Sequence, residues 1–406
     1  MNPRCIALAA ASFAMAVPLT ADAGAKIKID DQTNIELGLR LQTQLFFTEA
    51  NVDPADPEFE QQSSFLIRRA RLKFRANYST WLTTYVQSDY EEQAGTSSDM
   101  RIIDAYVLLK PHPLAWVYVG QNMAPALRAN VTSSGAFLAL DRPGITYRSL
   151  TWGARGKYAF TNTTFGDSNS RLLSQGRANV RDLGVTLFGN HSFTDSAHLK
   201  YYLGAYDGAQ AASEDNLRFT GRVQLNLLGK EAGYYNDATY LGEKRTIGIG
   251  ASYDTQDAVA LDQATAKKVD YQLWSVDLFT EMPLPIGSIS AEVGYGDLDL
   301  GGGGTLATAG GTNLGNAAQS QGVGLYGQLG YYVKGFQPWV QYEEWKSDAA
   351  QDLGSFKAYR AGLNYYLKGA DVKVVAGFER FEPEVPLAGG AQDTVQSFVL
   401  GLYVDL

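Results

Sequence analysis

Apolar and polar residues alternate with a period of two along most of the chain. Between Thr33 and Thr48, Ile35, Leu37, Leu39 and Leu41 fall on one side of an extended backbone, and Glu36, Arg40, Gln42 and Gln44 fall on the other, because successive side chains of a strand point to opposite faces. In Asn216–Leu228, Leu217, Phe219, Val223, Leu225 and Leu227 oppose Arg218, Thr220, Arg222, Gln224 and Asn226. In Gly354–Leu367, Tyr359, Ala361, Leu363, Tyr365 and Leu367 oppose Arg360 and Asn364. The closing segment puts Phe398, Leu400, Leu402, Val404 and Leu406 on one face. Each predicted strand has one wet side and one apolar side.

The connections alternate in length. Short ones near Ser79, Lys110–Ala115, His191–Ala197, Pro283–Gly287, Lys334–Gly335 and Lys368–Ala370 alternate with long ones. The long ones are Ala50–Ser63, Glu91–Asp99, Pro125–Asn179, Asp207–Asp215, Thr255–Lys268, Leu300–Gln321, Ser347–Leu353 and Glu382–Thr394. Short turns at one end, long loops at the other and an apolar exterior around a polar lumen are the marks of an outer-membrane barrel. The expectation is an all-β, transmembrane antiparallel β-barrel of about sixteen strands, with both chain ends on the periplasmic side. Pro125–Asn179 exceeds what a hairpin needs and is expected to fold into the lumen, or else to add two strands around Ile145–Phe160. Gly229–Lys244 breaks the pattern, being long where a short turn is due.

Composition supports the barrel. The 406 residues include 24 Tyr, 18 Phe, 6 Trp and 42 Gly, yet after the first residues no apolar run approaches the roughly 18 needed for a membrane helix. Residues 1–23 read as a cleaved signal peptide: Arg4, an apolar run from Cys5 to Val17, then Ala21-Asp22-Ala23. Residues 24–406 form the barrel domain. Cys5 is the sole cysteine, so no disulfide, thiol catalysis or cysteine metal site is expected. A net charge of −9 argues against nucleic acid. His112, His191 and His198 fall at predicted turns without metal-ligand spacing. Gly322–Gly327 matches a dinucleotide fingerprint, but Gln328–Val333 continues in period two instead of opening a helix. No cofactor, metal or enzymatic activity is expected. A membrane phospholipase would need a Ser–His pair oriented by a third polar group.

The most charged stretch is Phe65–Arg75. With Ala70, Leu72, Phe74 and Ala76 toward lipid, Arg69, Arg71, Lys73 and Arg75 form a column on the lumen wall. Neighbours in it are about 6.7 Å apart, inside the ~8 Å Debye length of physiological salt, so their fields add. Facing lipid, each would cost about 2–4 kcal/mol at midplane. Such a column draws in anions and passes them on, and guanidinium groups grip phosphate oxygens at two points. The alternative is that these charges only solvate the lumen and pair with acidic loop residues. Arg128, Arg142, Arg148 and Arg155 lie in the long connection, and Arg218 and Arg222 on a wet face. The expected anion pathway is Arg69, Arg71, Lys73, Arg75, Arg128, Arg142, Arg218 and Arg222.

Several short motifs follow one another in order: Ile67-Arg68-Arg69-Ala70-Arg71, Ile103-Asp104-Ala105-Tyr106-Val107, Tyr118-Val119-Gly120-Gln121-Asn122-Met123-Ala124-Pro125 and Asp141-Arg142-Pro143. Arg181-Asp182-Leu183-Gly184-Val185 and Tyr202-Leu203-Gly204-Ala205-Tyr206-Asp207-Gly208 come next. Together, over roughly residues 35–230, they resemble the phosphate-selective porin O and P family. It implies a sixteen-stranded trimeric barrel whose third loop folds inward, with Arg69 and Arg71 on the wall and Arg128 on that loop. Asn122-Met123-Ala124 stands where family members often carry a lysine, which points to general anion passage rather than strict phosphate selectivity. The expected function is passive diffusion of small anions, phosphate or related oxyanions, through a lumen lined by basic residues. Alternatives are a general or sugar-selective porin, whose tyrosines would stack on sugars, and a non-transporting adhesin or scaffold. Expected partners are outer-membrane lipid and lipopolysaccharide, small anions and further copies of the chain in a homotrimer.

Overall fold

The period-two segments pair edge to edge, each with the next in sequence. The computed structural model describes residues 24–406 except 51–59, 92–98, 144–180, 209–210, 212, 308–312, 317–320, 353 and 386–393. The expected leader at 1–23, Arg148, Arg155 and the alternative strands around Ile145–Phe160 lie outside the described residues.

Among the described residues sixteen antiparallel strands close into a barrel. They are β1 (Asn34–Ala50), β2 (Glu60–Asn77), β3 (Leu82–Glu91), β4 (Asp99–His112), β5 (Ala115–Met123), β6 (Arg181–Thr194), β7 (Ala197–Tyr206) and β8 (Arg218–Leu228). The ring continues through β9 (Thr246–Asp262), β10 (Lys267–Pro283), β11 (Ser288–Asp299), β12 (Gly322–Tyr332), β13 (Phe336–Ser347), β14 (Phe356–Lys368), β15 (Val372–Pro383) and β16 (Val395–Asp405). β16 pairs back onto β1, with Phe398 beside Phe47 and Leu402 beside Thr43. The ring has no free edge, which a sheet in lipid requires because nothing there satisfies an open row of N–H and C=O groups. Both ends of the described chain, at residues 24 and 406, lie at one end of the barrel. Ala25–Lys28 pairs with the start of β1 there.

The apolar faces point outward. Val276, Leu278, Ile249, Val293, Leu329, Val340 and Leu363 are all exposed, the reverse of a water-soluble core. Aromatics bound this belt. Phe336 stacks on Tyr365 at the termini end, with centroids 4.5 Å apart, and Trp274–Tyr295 and Tyr342–Tyr359 lie at the far end, both 5.3 Å apart. From Tyr359 to Tyr365 the strand rises about 20 Å, close to the apolar height of an outer-membrane barrel.

Two expectations are corrected. Thr255–Lys268 is no long loop: β9 runs to Asp262 and β10 starts at Lys267, with an irregularity between Gln256 and Ala260. Polar residues continue a strand there because beyond the bilayer no lipid enforces alternation. His191 and His198 lie in β6 and β7 rather than at a turn, and His198 bonds Ser192 at 2.8 Å.

Candidate lumen site

Inward side chains of a barrel this wide normally face water, but here they are buried. Gln224, Asn226, Glu281, Gln337 and Asn364 are each no more than 1% exposed. Two connections entering from opposite ends cover them.

The first follows β5. Ala126 accepts from Ser275 on β10 (3.3 Å), and a single 3-10 turn spans Ala129–Val131. The chain then crosses to β1 and β2, where Arg40, Gln42 and Arg71 all bond Ser134. It leaves along β14–β16: Phe137, Leu138 and Leu140 carbonyls accept from Lys373 (2.8 Å), Asn364 (2.7 Å) and Tyr403 (3.1 Å). Leu138 and Leu140 seat against Gly330 and Gly377, where an added Cβ would lie 2.3 and 2.6 Å from their methyl carbons. Wall glycines therefore make the sockets for this segment.

The second is the anomalous connection after β8, at the termini end. Instead of turning, 229–245 climbs into the lumen. Glu231 accepts from Gln224 (2.6 Å) and Asn226 (3.0 Å), and Tyr234 donates to the Met123 carbonyl and packs 4.5 Å from Tyr118. Tyr240 and Gly242 donate backbone N–H groups to Glu281. The segments meet in mid-lumen, where Ser133 N–H bonds Asn236 O (2.8 Å), Asn236 N–H bonds Val131 O (2.8 Å) and Ala238 N–H bonds Ala136 O (3.1 Å). A small pocket remains beside them, lined in part by Asp141, Arg142, Glu292 and Gln328.

The basic column faces inward as its parity requires, and each member meets a carboxylate. Arg69 holds both oxygens of Asp141 at 2.9 Å, and Arg71 bonds Asp89 at 2.7 Å. Lys73 shares Asp405 with Arg40. Arg75, half-exposed, lies 3.5 Å from Glu36. Arg68 has the parity of the lipid-facing set, yet it is buried and bonds Asp141 at 2.8 Å. The cause is a β-bulge: Gln42 pairs with Arg69 and Thr43 with Ile67, leaving Arg68 as the extra residue.

The other expected pathway residues are held as firmly. Arg128, 1% exposed, bonds Glu231 at 2.8 and 3.0 Å, approaches Glu292 at 3.6 Å and lies over the Phe279 ring. Arg218 bonds Asp254 at 2.5 Å and Asp182 at 3.3 Å. Arg222 grips Asp277 at 2.6 and 2.9 Å. Arg142 donates to the Ala129 and Thr132 carbonyls at 2.7 and 2.8 Å. Burial opposes ionisation of Glu231, but Arg128 and Lys200 outweigh it and keep its carboxyl below the ordinary range. At Asp237 burial wins over Lys244 and pushes the carboxyl up to about 6. Sequence reasoning missed Lys200, Asp89 and Asp405, although wet-face parity was a signal that could have found them; nothing local in sequence marks Asp141 or Glu231 as partners of the wall arginines.

No protein-family model matches the chain. A relative from Aquifex aeolicus (strain VF5), described only as uncharacterized, is 22% identical over 378 residues, 84% of this chain and 80% of that one. Among solved structures, the anion-selective porin of Comamonas acidovorans matches with a TM-score of 0.55 at 10% identity, over 92% of this chain and 100% of that one. The outer membrane channel DcaP of Acinetobacter baumannii matches at 0.52 and 13%, over 95% and 100%. The trimer form of OmpT, an outer membrane protein of Vibrio cholerae, matches at 0.52 and 12%, over 93% and 100%. Identities this low speak for the fold alone: the chain has the sixteen-stranded barrel architecture of outer-membrane porins.

Proposed function

We propose that the chain is exported by its leader and acts in the outer membrane as a diffusion channel for small polar solutes, closed in this conformation by its two inward segments. The carrying observation is how the lumen is filled. The segments hold each other by three main-chain hydrogen bonds and the Arg128–Glu231 pair and contact the wall through side chains, polar ones and apolar ones such as Leu138, Leu140 and Tyr234, so both can withdraw without breaking a barrel strand pair. Asn130, fully buried in the 3-10 turn, has neither amide atom paired, at a cost of about 1–3 kcal/mol per group against docking. By the barrel rule the end holding both termini is periplasmic, so one segment enters from each side of the membrane. A homotrimer in lipid and lipopolysaccharide is part of this reading, supported by the OmpT neighbour being recorded as a trimer.

Anion passage, phosphate included, is the finer part of the proposal. Arg69, Arg71, Lys73, Arg128, Arg218 and Arg222 already hold carboxylates. A passing anion competes with a fixed carboxylate for each of them, so weak preference is proposed rather than strict phosphate selectivity. A second reading, sugar passage, draws on Tyr85, Tyr106 and Tyr118 side by side on the wall, with ring centroids 5.2 and 5.1 Å apart.

Vesicle swelling tests the channel reading. The refolded chain and a variant with residues 231–242 replaced by a short Gly-Ser turn are compared, and the shortened variant should admit small sugars and salts faster. If neither passes solute, the barrel is a scaffold. Current block by sugars but not by phosphate would favour the second reading.

A further inference from the structure

Among the buried cations on the barrel wall, Lys200 and Lys373 stand apart. Neither forms a close ion pair with a carboxylate among the described residues, Glu231 of the inward segment acting on Lys200 only at longer range. Lys200 on β7 donates to the Gly233 carbonyl at 2.9 Å and to Asn236 Oδ1 at 2.6 Å, with the Tyr202 ring 5.8 Å away. Lys373 on β15 donates to the Phe137 carbonyl at 2.8 Å, with the Tyr366 and Tyr403 rings 5.4 and 5.8 Å away. Every one of those oxygen acceptors belongs to an inward segment: Gly233 and Asn236 to the one after β8, Phe137 to the one after β5. The two lysines are 1% and 2% exposed. β7 and β15 are eight strands apart in a ring of sixteen, so the lysines stand on opposite walls.

From this arrangement we infer that Lys200 and Lys373 are an anion-binding pair of the open lumen, receiving small inorganic oxyanions such as phosphate once the segments withdraw. The inference rests on the channel reading above. Withdrawal changes little at Arg71, Arg218 and Arg222, because Asp89, Asp254 and Asp277 are wall residues and stay with them; Arg68 and Arg69 lose Asp141, which leaves with the segment after β5, and are freed along with the lysines. At the lysines it removes every oxygen acceptor and leaves two uncompensated positive charges in water. A backbone carbonyl is a neutral stand-in that a phosphate oxygen replaces with charge attraction added. A unit charge about 7 Å from the path of an ion in water changes that ion's occupancy about threefold, and two such charges act together.

The test is the reversal potential of the refolded full-length chain across a potassium chloride gradient, repeated with added potassium phosphate. In wild type the anion should carry the larger share. Lys200→Gln and Lys373→Gln should each lower the anion-to-cation permeability ratio about threefold or more. Lys200→Arg with Lys373→Arg should keep it. Removing a neutral wall pair, Arg181→Gln with Asp104→Asn (2.8 Å apart), should leave it unchanged. If the Gln variants do not fold, acetylation of the unaltered protein replaces them: phosphate should slow modification of Lys200 and Lys373 relative to chloride. An unchanged ratio, or no protection by phosphate, overturns the assignment while leaving the channel reading intact. A chain that never conducts, shortened or whole, overturns both.

Discussion

The docked segments are held most strongly at Arg128, and its removal yields a quantitative prediction. Arg128→Met leaves Glu231 buried with Gln224, Asn226 and Tyr240 as its remaining hydrogen-bond partners. Stripping one member of a buried pair costs about 3–5 kcal/mol. Glu231 can limit that loss by taking a proton. At pH 7, protonating a carboxyl of ordinary pKa costs about 3.5 kcal/mol, so the penalty on the docked state saturates near that value. A penalty of about 3 kcal/mol shifts the docked equilibrium roughly a hundredfold toward withdrawal. The sign follows from linkage. Unpaired and buried, Glu231 has its pKa raised in the docked state above its value when withdrawn, so docking is favoured at low pH and lost as pH rises. At pH 5 the ceiling falls to about 1 kcal/mol. Single-channel recording of Arg128→Met should therefore show a large gain in open probability at pH 7 that mostly disappears at pH 5. Adding Glu231→Gln should restore closure at both. A variant that gates like wild type at pH 7, a leak indifferent to pH, or a double variant as leaky as the single would each refute the reasoning.

The other predictions address the sockets, the native pH response and the exterior. Gly377→Leu and Gly330→Val should expel Leu140 and Leu138 from the wall and raise conductance, while heat-modifiable gel migration shows an intact barrel; unchanged conductance would mean the segment does not seat there. In wild type the Asp237 carboxyl is raised to about 6 when docked, so its stabilising share is complete below the ordinary carboxylate pKa and lost as pH rises through 6. Current should fall on acidification through that range, and Asp237→Asn should flatten the response. Val340→Arg, on the exposed aliphatic belt, should cost about 2–4 kcal/mol near midplane, read by urea titration of folding into vesicles; a neutral result would place that surface away from lipid.

The parts of this molecule legible in sequence are those where lipid acts on the chain. Leu217 to Leu227 had to alternate with Arg218 to Asn226 because one face meets hydrocarbon and the other does not, and Arg69, Arg71, Lys73 and Arg75 share a face for the same reason. Where lipid does not reach, the pattern fades: Thr255–Lys268 looked like a loop although its residues pair in a tight hairpin. Arg68 shows a different limit, since parity assigns it to the exterior and only a one-residue bulge turns it inward. The lumen is harder still, because its order comes from residues far apart in the chain. Asp141 meets Arg69 across 72 positions and Phe137 meets Lys373 across 236. The unexplained length of Gly229–Lys244 was a usable signal: a segment with adjacent tyrosines in place of a short turn has apolar surface to bury, and in a closed barrel the nearest place is inside. What parity could not reveal is which inward cations are neutralised. Lys200 and Arg222 look alike on their wet faces, yet one is capped by a loop carbonyl and the other by a wall carboxylate. That difference, visible only once strands and segments are assembled, decides which of them carries charge into an open lumen.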